Sequence, residues 1–101
     1  MKKYYGVVIV NVKNWEEYSK YTELAGPILK KYTENCGGKI LSRGGDIINL
    51  EGKKMNRIVL IEWPSSKHAQ DFYNSSEYKN AMKYLDDDVS ERYFNLAESY
   101  N

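Results

Sequence analysis

The chain is poor in several residue types. It has one cysteine, Cys36, one histidine, His68, and two prolines, Pro27 and Pro64, among 101 residues. A lone cysteine excludes an internal disulfide and fits a reducing compartment, so the expected location is cytoplasmic. Neither Cys36 nor His68 has a partner at metal-ligand spacing. Asp86-Asp87-Asp88 lacks the glycine and distal glutamate of a calcium loop, so no metal is expected. Fifteen basic against fourteen acidic side chains give a net charge of +1 without a run of either sign. Without a basic patch, neither a nucleic-acid nor an anionic-membrane partner is expected. No apolar stretch approaches membrane-spanning length. Lys2-Lys3 precede an apolar run that breaks at Asn11 and Lys13, which marks a strand rather than a signal peptide. Phosphate-loop, dinucleotide and nucleophile-elbow motifs are missing, so no cofactor is expected.

Tyrosine, in contrast, is abundant, with ten copies. It buries apolar area while keeping a hydroxyl that needs a partner, which suits interfaces and pocket walls. Two continuous apolar runs, Tyr4 to Val12 and Arg57 to Trp63, read as central strands covered on both faces. Asn14 and Glu17 have capping-box spacing and begin a helix whose apolar stripe runs through Trp15, Tyr18, Tyr21, Ala25, Leu29 and Tyr32. Gly26-Pro27 predicts a kink or break, and Cys36-Gly37-Gly38 the end of that helix. Lys39 to Arg43 reads as a second strand, with extended structure resuming over Asp46 to Leu50 and a turn at Glu51 to Lys54. The pair Gly44-Gly45 signals a bulge or a close backbone approach. Ser65 or Ser66 caps a second helix that breaks at Asn74 to Ser76 and restarts at Glu77, and Arg92 to Glu98 forms an edge strand.

The order β-α-β-β-α-β, with right-handed crossovers, predicts an α+β fold, the ferredoxin-like plait on a four-stranded antiparallel sheet, over one domain spanning residues 1–101. Two helices cover only one face of such a sheet. Val7 and Ile9 on the first strand with Ile58 and Leu60 on the third point one way, and Val8, Val10 and Val12 with Val59, Ile61 and Trp63 the other, so the face that the helices leave is apolar in either case. A second copy of the chain would cover it, predicting a homodimer.

A hairpin symmetric about Gly52-Lys53 sets Arg43 opposite Glu62, where the two side chains share a face; a one-residue shift beside the glycine pair would move Arg43 to the other face. Two readings stay open: a cross-strand ion pair without chemistry, or an arginine clamp for a small anionic or enolate-like ligand that Glu62 orients. Tyr18 on the helix stripe and Asn11 at the strand end are candidate cleft residues, with core packing and turn capping as the plainer roles. Trp63 is a packing residue or, at most, part of a ligand wall. His68, in the first turn of a helix, is not expected to act as a base. The RNA-recognition motif shares the topology but stacks bases on strand aromatics, and here those strands are aliphatic.

The run Val8-Ile9-Val10-Asn11-Val12, with Leu41-Ser42-Arg43-Gly44-Gly45, Leu50-Glu51-Gly52, Ile61-Glu62-Trp63-Pro64-Ser65 and Phe72-Tyr73, resembles the uncharacterised "domain of unknown function thirteen-thirty" family along nearly the whole chain. That resemblance implies a dimeric α/β barrel within a superfamily that includes cofactor-independent monooxygenases, muconolactone-isomerase-like enzymes and stress-responsive barrels. The chain departs from the family in Trp63, where phenylalanine is usual, and in Cys36 before the glycines. Two functions follow as expectations. One is a small-molecule-binding homodimer with oxygenase- or isomerase-like chemistry on a small anionic or aromatic carbonyl compound, using Arg43, Glu62, Asn11, Tyr18 and Trp63. The other is a non-catalytic dimer that binds a ligand or partner.

Overall fold

A computed structural model describes residues 1–101. Strand β1 (Tyr4–Val12) leads into helix α1 (Trp15–Cys36), then β2 (Lys39–Arg43) and β3 (Arg57–Trp63). Helices α2 (Ser66–Tyr73) and α3 (Ser76–Ala81) follow, with a short 3-10 turn over Met82–Tyr84, and β4 (Ser90–Glu98) closes the chain. The sheet is antiparallel in the order β2-β3-β1-β4, so the two aliphatic runs are its central strands, as their composition requires. This is the ferredoxin-like α+β fold.

Alternation decides the two faces. Val8, Val10 and Val12 of β1 and Val59, Ile61 and Trp63 of β3 are buried beneath the helices. Val7, Ile9, Ile58 and Leu60 point to the uncovered face and are half-buried. Trp63 and Val10 are completely enclosed, and Trp63 lies against Phe72 of α2 at 5.6 Å between ring centres. Asn56 lengthens the central pairing: its side chain accepts from the Val12 N–H at 2.7 Å and donates to the Val12 carbonyl at 2.9 Å.

Helix α1 begins where the cap predicts, with the Asn14 side chain accepting from the Glu17 N–H at 3.1 Å, and ends at Gly37 with φ at 79°. It does not break at Gly26-Pro27. Pro27 and Glu23, the residue whose carbonyl loses its helical donor, both face solvent, where water can take the donor's place. Trp15 also departs from the expected stripe and is half exposed.

The largest departure lies between β2 and β3. Residues 44–56 form a loop rather than a second extended arm, so Ile47 does not face Ile58 and Leu50 does not face Met55. The bulge falls at Leu41, between the pairs Ile40–Ile61 and Ser42–Leu60, and not at the glycines. It shifts the register so that Arg43 lies opposite Val59 and Lys39 opposite Glu62. Arg43 therefore points under the helices, and Glu62 points to the uncovered face. The expected Arg43–Glu62 pair does not form, because the strands pair three to four residues away from the symmetric hairpin register, and the bulge then turns Arg43 to the opposite side of the sheet from Glu62.

Candidate functional site

A narrow cleft with an enclosed volume of about 40 Å³, open to solvent at its mouth, lies between α1 and the sheet. Tyr18, Tyr21, Ala25, Gly26 and Leu29 recur at helical spacing and form the α1 wall. Val8, Val59 and Ile61 form the floor, with Phe72, Tyr78 and Phe94 closing one end.

Into this apolar cleft project Arg43, Arg57 and Arg92. The chain contains only these three arginines, against twelve lysines. No lysine and no carboxylate is among the fifteen residues that line the space. All six ion pairs of the protein are made by lysines. The arginines are thus three fixed cations in one cleft without a counter-charge.

Strand register explains the convergence. Val10 pairs with Arg57 on one side and with Arg92 on the other, so these two arginines flank Val10 in one row on the helix face. Arg43, opposite Val59, sits diagonally from Arg57. The Arg57 guanidinium carbon is 5.8 Å from the Tyr18 ring centre, and that of Arg92 is 4.9 Å from the ring centre of Tyr21. An Arg92 terminal nitrogen donates to the Tyr21 hydroxyl at 3.1 Å and to the Tyr78 hydroxyl at 3.2 Å. Those hydroxyls are themselves 2.6 Å apart. The Nε atoms of Arg57 and Arg92 are buried without a partner.

Burial is the main cause that raises the Tyr18 pKa, against the lowering influence of Arg92 and Arg57. Burial, together with the neighbouring Tyr78, pushes Tyr21 far above the ordinary tyrosine value. Tyr18 and Tyr21 therefore stay protonated at neutral pH and serve as donors rather than bases.

Of the residues singled out in the sequence, Arg43 and Tyr18 share the cleft. Glu62 and Asn11 lie on the uncovered face, where Lys3 is 3.6 Å from Glu62. Trp63 is enclosed beneath α2 and is not among the lining residues. Ser65 caps α2 by accepting from the His68 N–H at 3.3 Å, and the His68 Nδ1 lies 2.7 Å from the same hydroxyl. Sequence reasoning passed over Arg57, Arg92, Tyr21, Tyr78 and Gly26 as site residues. The usable signal was an arginine sharing strand parity with apolar residues: Arg57 with Val59 and Ile61, and Arg92 with Phe94 and Leu96.

The glycines serve the arginines. A Cβ on Gly26 would collide with the Arg43 guanidinium, and one on Gly44 would stand 2.6 Å from Nη1 of Arg57. Gly44 also adopts a φ of 66°, which disfavours any side chain. Gly26→Ala separates fold from site. Better helix propensity favours the variant by about 1 kcal/mol, and the exposed Arg43 side chain can move aside. Chemical denaturation should therefore show unchanged or slightly raised stability, while calorimetry shows anion affinity reduced several-fold.

A family model matches residues 3–99, under the description domain of unknown function, DUF1330. The chain belongs to the DUF1330 family. This DUF1330 chain is also similar in structure to a protein of unknown function from Rhodopseudomonas palustris, with TM-score 0.73, 16% identity, and coverage of 99% of this chain and 84% of that one. It is similar as well to SnoaB, a cofactor-independent oxygenase from Streptomyces nogalater, with TM-score 0.59, 12% identity, and coverage of 100% and 96%. A third similar structure is a dimeric protein of unknown function and ferredoxin-like fold from Bacteroides fragilis, with TM-score 0.58, 14% identity, and coverage of 96% of each chain. At such identities these likenesses establish the fold alone. No curated protein matches this DUF1330 chain.

Proposed function

We propose that this DUF1330 protein is a homodimer that binds a small anionic carbonyl or aromatic compound in the arginine cleft. One observation carries the reading: the chain's three arginines all line one cleft that contains no carboxylate. Guanidinium groups are weakly hydrated, planar and suited to bidentate capture of a carboxylate, which explains arginine rather than lysine at these positions. Tyr18 and Tyr21 supply an aromatic wall, and their protonated hydroxyls add donors.

The same arrangement stabilises the conjugate base of a bound carbonyl compound, the contribution that oxygenase- or isomerase-like chemistry needs. No histidine, carboxylate or thiol lines the cleft, and its tyrosines Tyr18 and Tyr21 are held protonated. That composition favours ligand binding over acid–base catalysis. Glu62 and Asn11 belong, on this reading, to the face that a second copy covers. A free Cys36 thiol accords with a cytoplasmic protein.

Titrating benzoate and pyruvate into the protein by calorimetry tests the proposal. Saturable binding to the wild type is expected, with affinity at least tenfold weaker in Arg43→Ala, because a charge-assisted hydrogen bond contributes about 1.5–3 kcal/mol. Wild-type protein that binds neither anion, or an Arg43→Ala variant of unchanged affinity, would remove the cleft from consideration as an anion site.

A further inference from the structure

We infer that the ligand of the cleft is a dianion with two separated acidic groups, of the dicarboxylate class. This inference rests on the cleft being an anion site and adds that the site has two poles. The first is Arg43 with Arg57, diagonal neighbours on β2 and β3 at the mouth. The second is Arg92, on β4, with the hydroxyls of Tyr21 and Tyr78.

Each pole independently lacks an acceptor. At the first, Arg57 Nε is buried with no partner, and no carboxylate pairs with either guanidinium. At the second, Arg92 Nε is likewise buried and unpartnered. Proton counting sharpens the point. Only one proton can lie in the 2.6 Å contact between the Tyr21 and Tyr78 oxygens. The other hydroxyl proton then needs an acceptor, while Arg92 already donates to both oxygens. A pole built only of donors calls for an anionic acceptor.

The two poles spring from separate strands. Arg57 and Arg92 pair with opposite sides of Val10, so two inter-strand steps, about 10 Å, separate their backbones. Val8, Val59 and Ile61 supply the apolar floor of the cleft, suited to a methylene spacer. One monoanion satisfies one pole and leaves the other without an acceptor. A diacid satisfies both.

The experiment is a calorimetric comparison of succinate, glutarate and adipate with butyrate, benzoate and inorganic phosphate, on the full chain. One diacid of the series is expected to bind at least tenfold more tightly than butyrate. Arg92→Gln should bring the ratio of diacid to monoacid affinity close to one. Tyr21→Phe, which keeps the buried ring, should lower the same ratio and stands in for Arg92→Gln if that variant does not fold. Monoacids binding as tightly as every diacid would overturn the two-pole assignment and leave the single-anion reading standing. Phosphate binding more tightly than every diacid would overturn it in favour of one compact dianionic group. Absence of binding by any of these anions would sink both.

Discussion

Arg57→Met is expected to make the ligand-free protein more stable and, at the same time, to lose much of its stabilisation by anions. Arg57 is half-buried, its Nε has no partner, and no acidic side chain lines its cleft. The other charges that line the cleft, Arg43 and Arg92, are of like sign. At an effective dielectric of 20 and roughly 8 Å, each such repulsion costs about 2 kcal/mol before screening. The favourable contact with Tyr18 offsets about 0.5–1 kcal/mol. Methionine has a similar reach and suits the apolar floor, and replacing buried charge by a hydrophobe of similar volume is often stabilising. The net expectation is a gain of about 1 kcal/mol, seen as a higher urea midpoint at low salt and a smaller one at high salt, where the repulsion is screened. Ligand linkage then reverses the order. An anion at a hundred times its dissociation constant adds about 2.7 kcal/mol to the wild type. It should add about half of that or less to Arg57→Met, where the lost charge-assisted hydrogen bond weakens binding at least tenfold. A variant that is less stable without ligand and as strongly stabilised by anions as the wild type would show that Arg57 is structural and that the charge cluster is not a binding device.

Period-two alternation made much of this protein legible before its structure. The two apolar faces of β1 and β3 follow from Val7 and Ile9 against Val8 and Val10, although which of them the helices would cover did not. Helix caps were legible for the same local reason: the Asn14 side chain meets the Glu17 N–H three residues on. The β2–β3 register was not: the long loop over residues 44–56 frees the strands from a symmetric hairpin, and the Leu41 bulge, which depends on how both strands twist and pack, decides whether Arg43 faces the uncovered side or the cleft. The glycines near Arg43 signalled a close approach correctly in kind, but the approaching group is Arg57, from the next strand. Strand parity would have placed Arg57 and Arg92 inward, yet both stand near strand starts, where an inward charge reads as a surface end. Tyr78 joins Tyr21 across 57 residues of chain, a contact no local pattern announces.

The uncovered face yields the second large effect. Val7, Ile9, Ile58 and Leu60 form an aliphatic patch on the central strands, and every helix lies on the other side. Charged residues sit around it: Lys3 with Glu62, and Lys53 with Glu91 at 2.9 Å. A dry centre within a polar rim is the anatomy of a protein interface. If two copies pack face to face about a two-fold axis, one substitution per chain places two charges in the same interface. Ile9→Glu then buries a pair of like, unpaired carboxylates, a cost of several kcal/mol, whereas in a lone chain the same side chain reaches water. Sedimentation should show twice the chain mass for the wild type and the single-chain mass for Ile9→Glu, with the circular dichroism spectrum unchanged. Thermal stability should become independent of concentration in the variant, since association no longer contributes. Wild-type protein that sediments as a single chain would leave this face without its proposed cover. A variant that remains dimeric would move the contact elsewhere, with the exposed Ile48 and Leu50 of the β2–β3 loop, 80% and 93% accessible, the next surface to substitute.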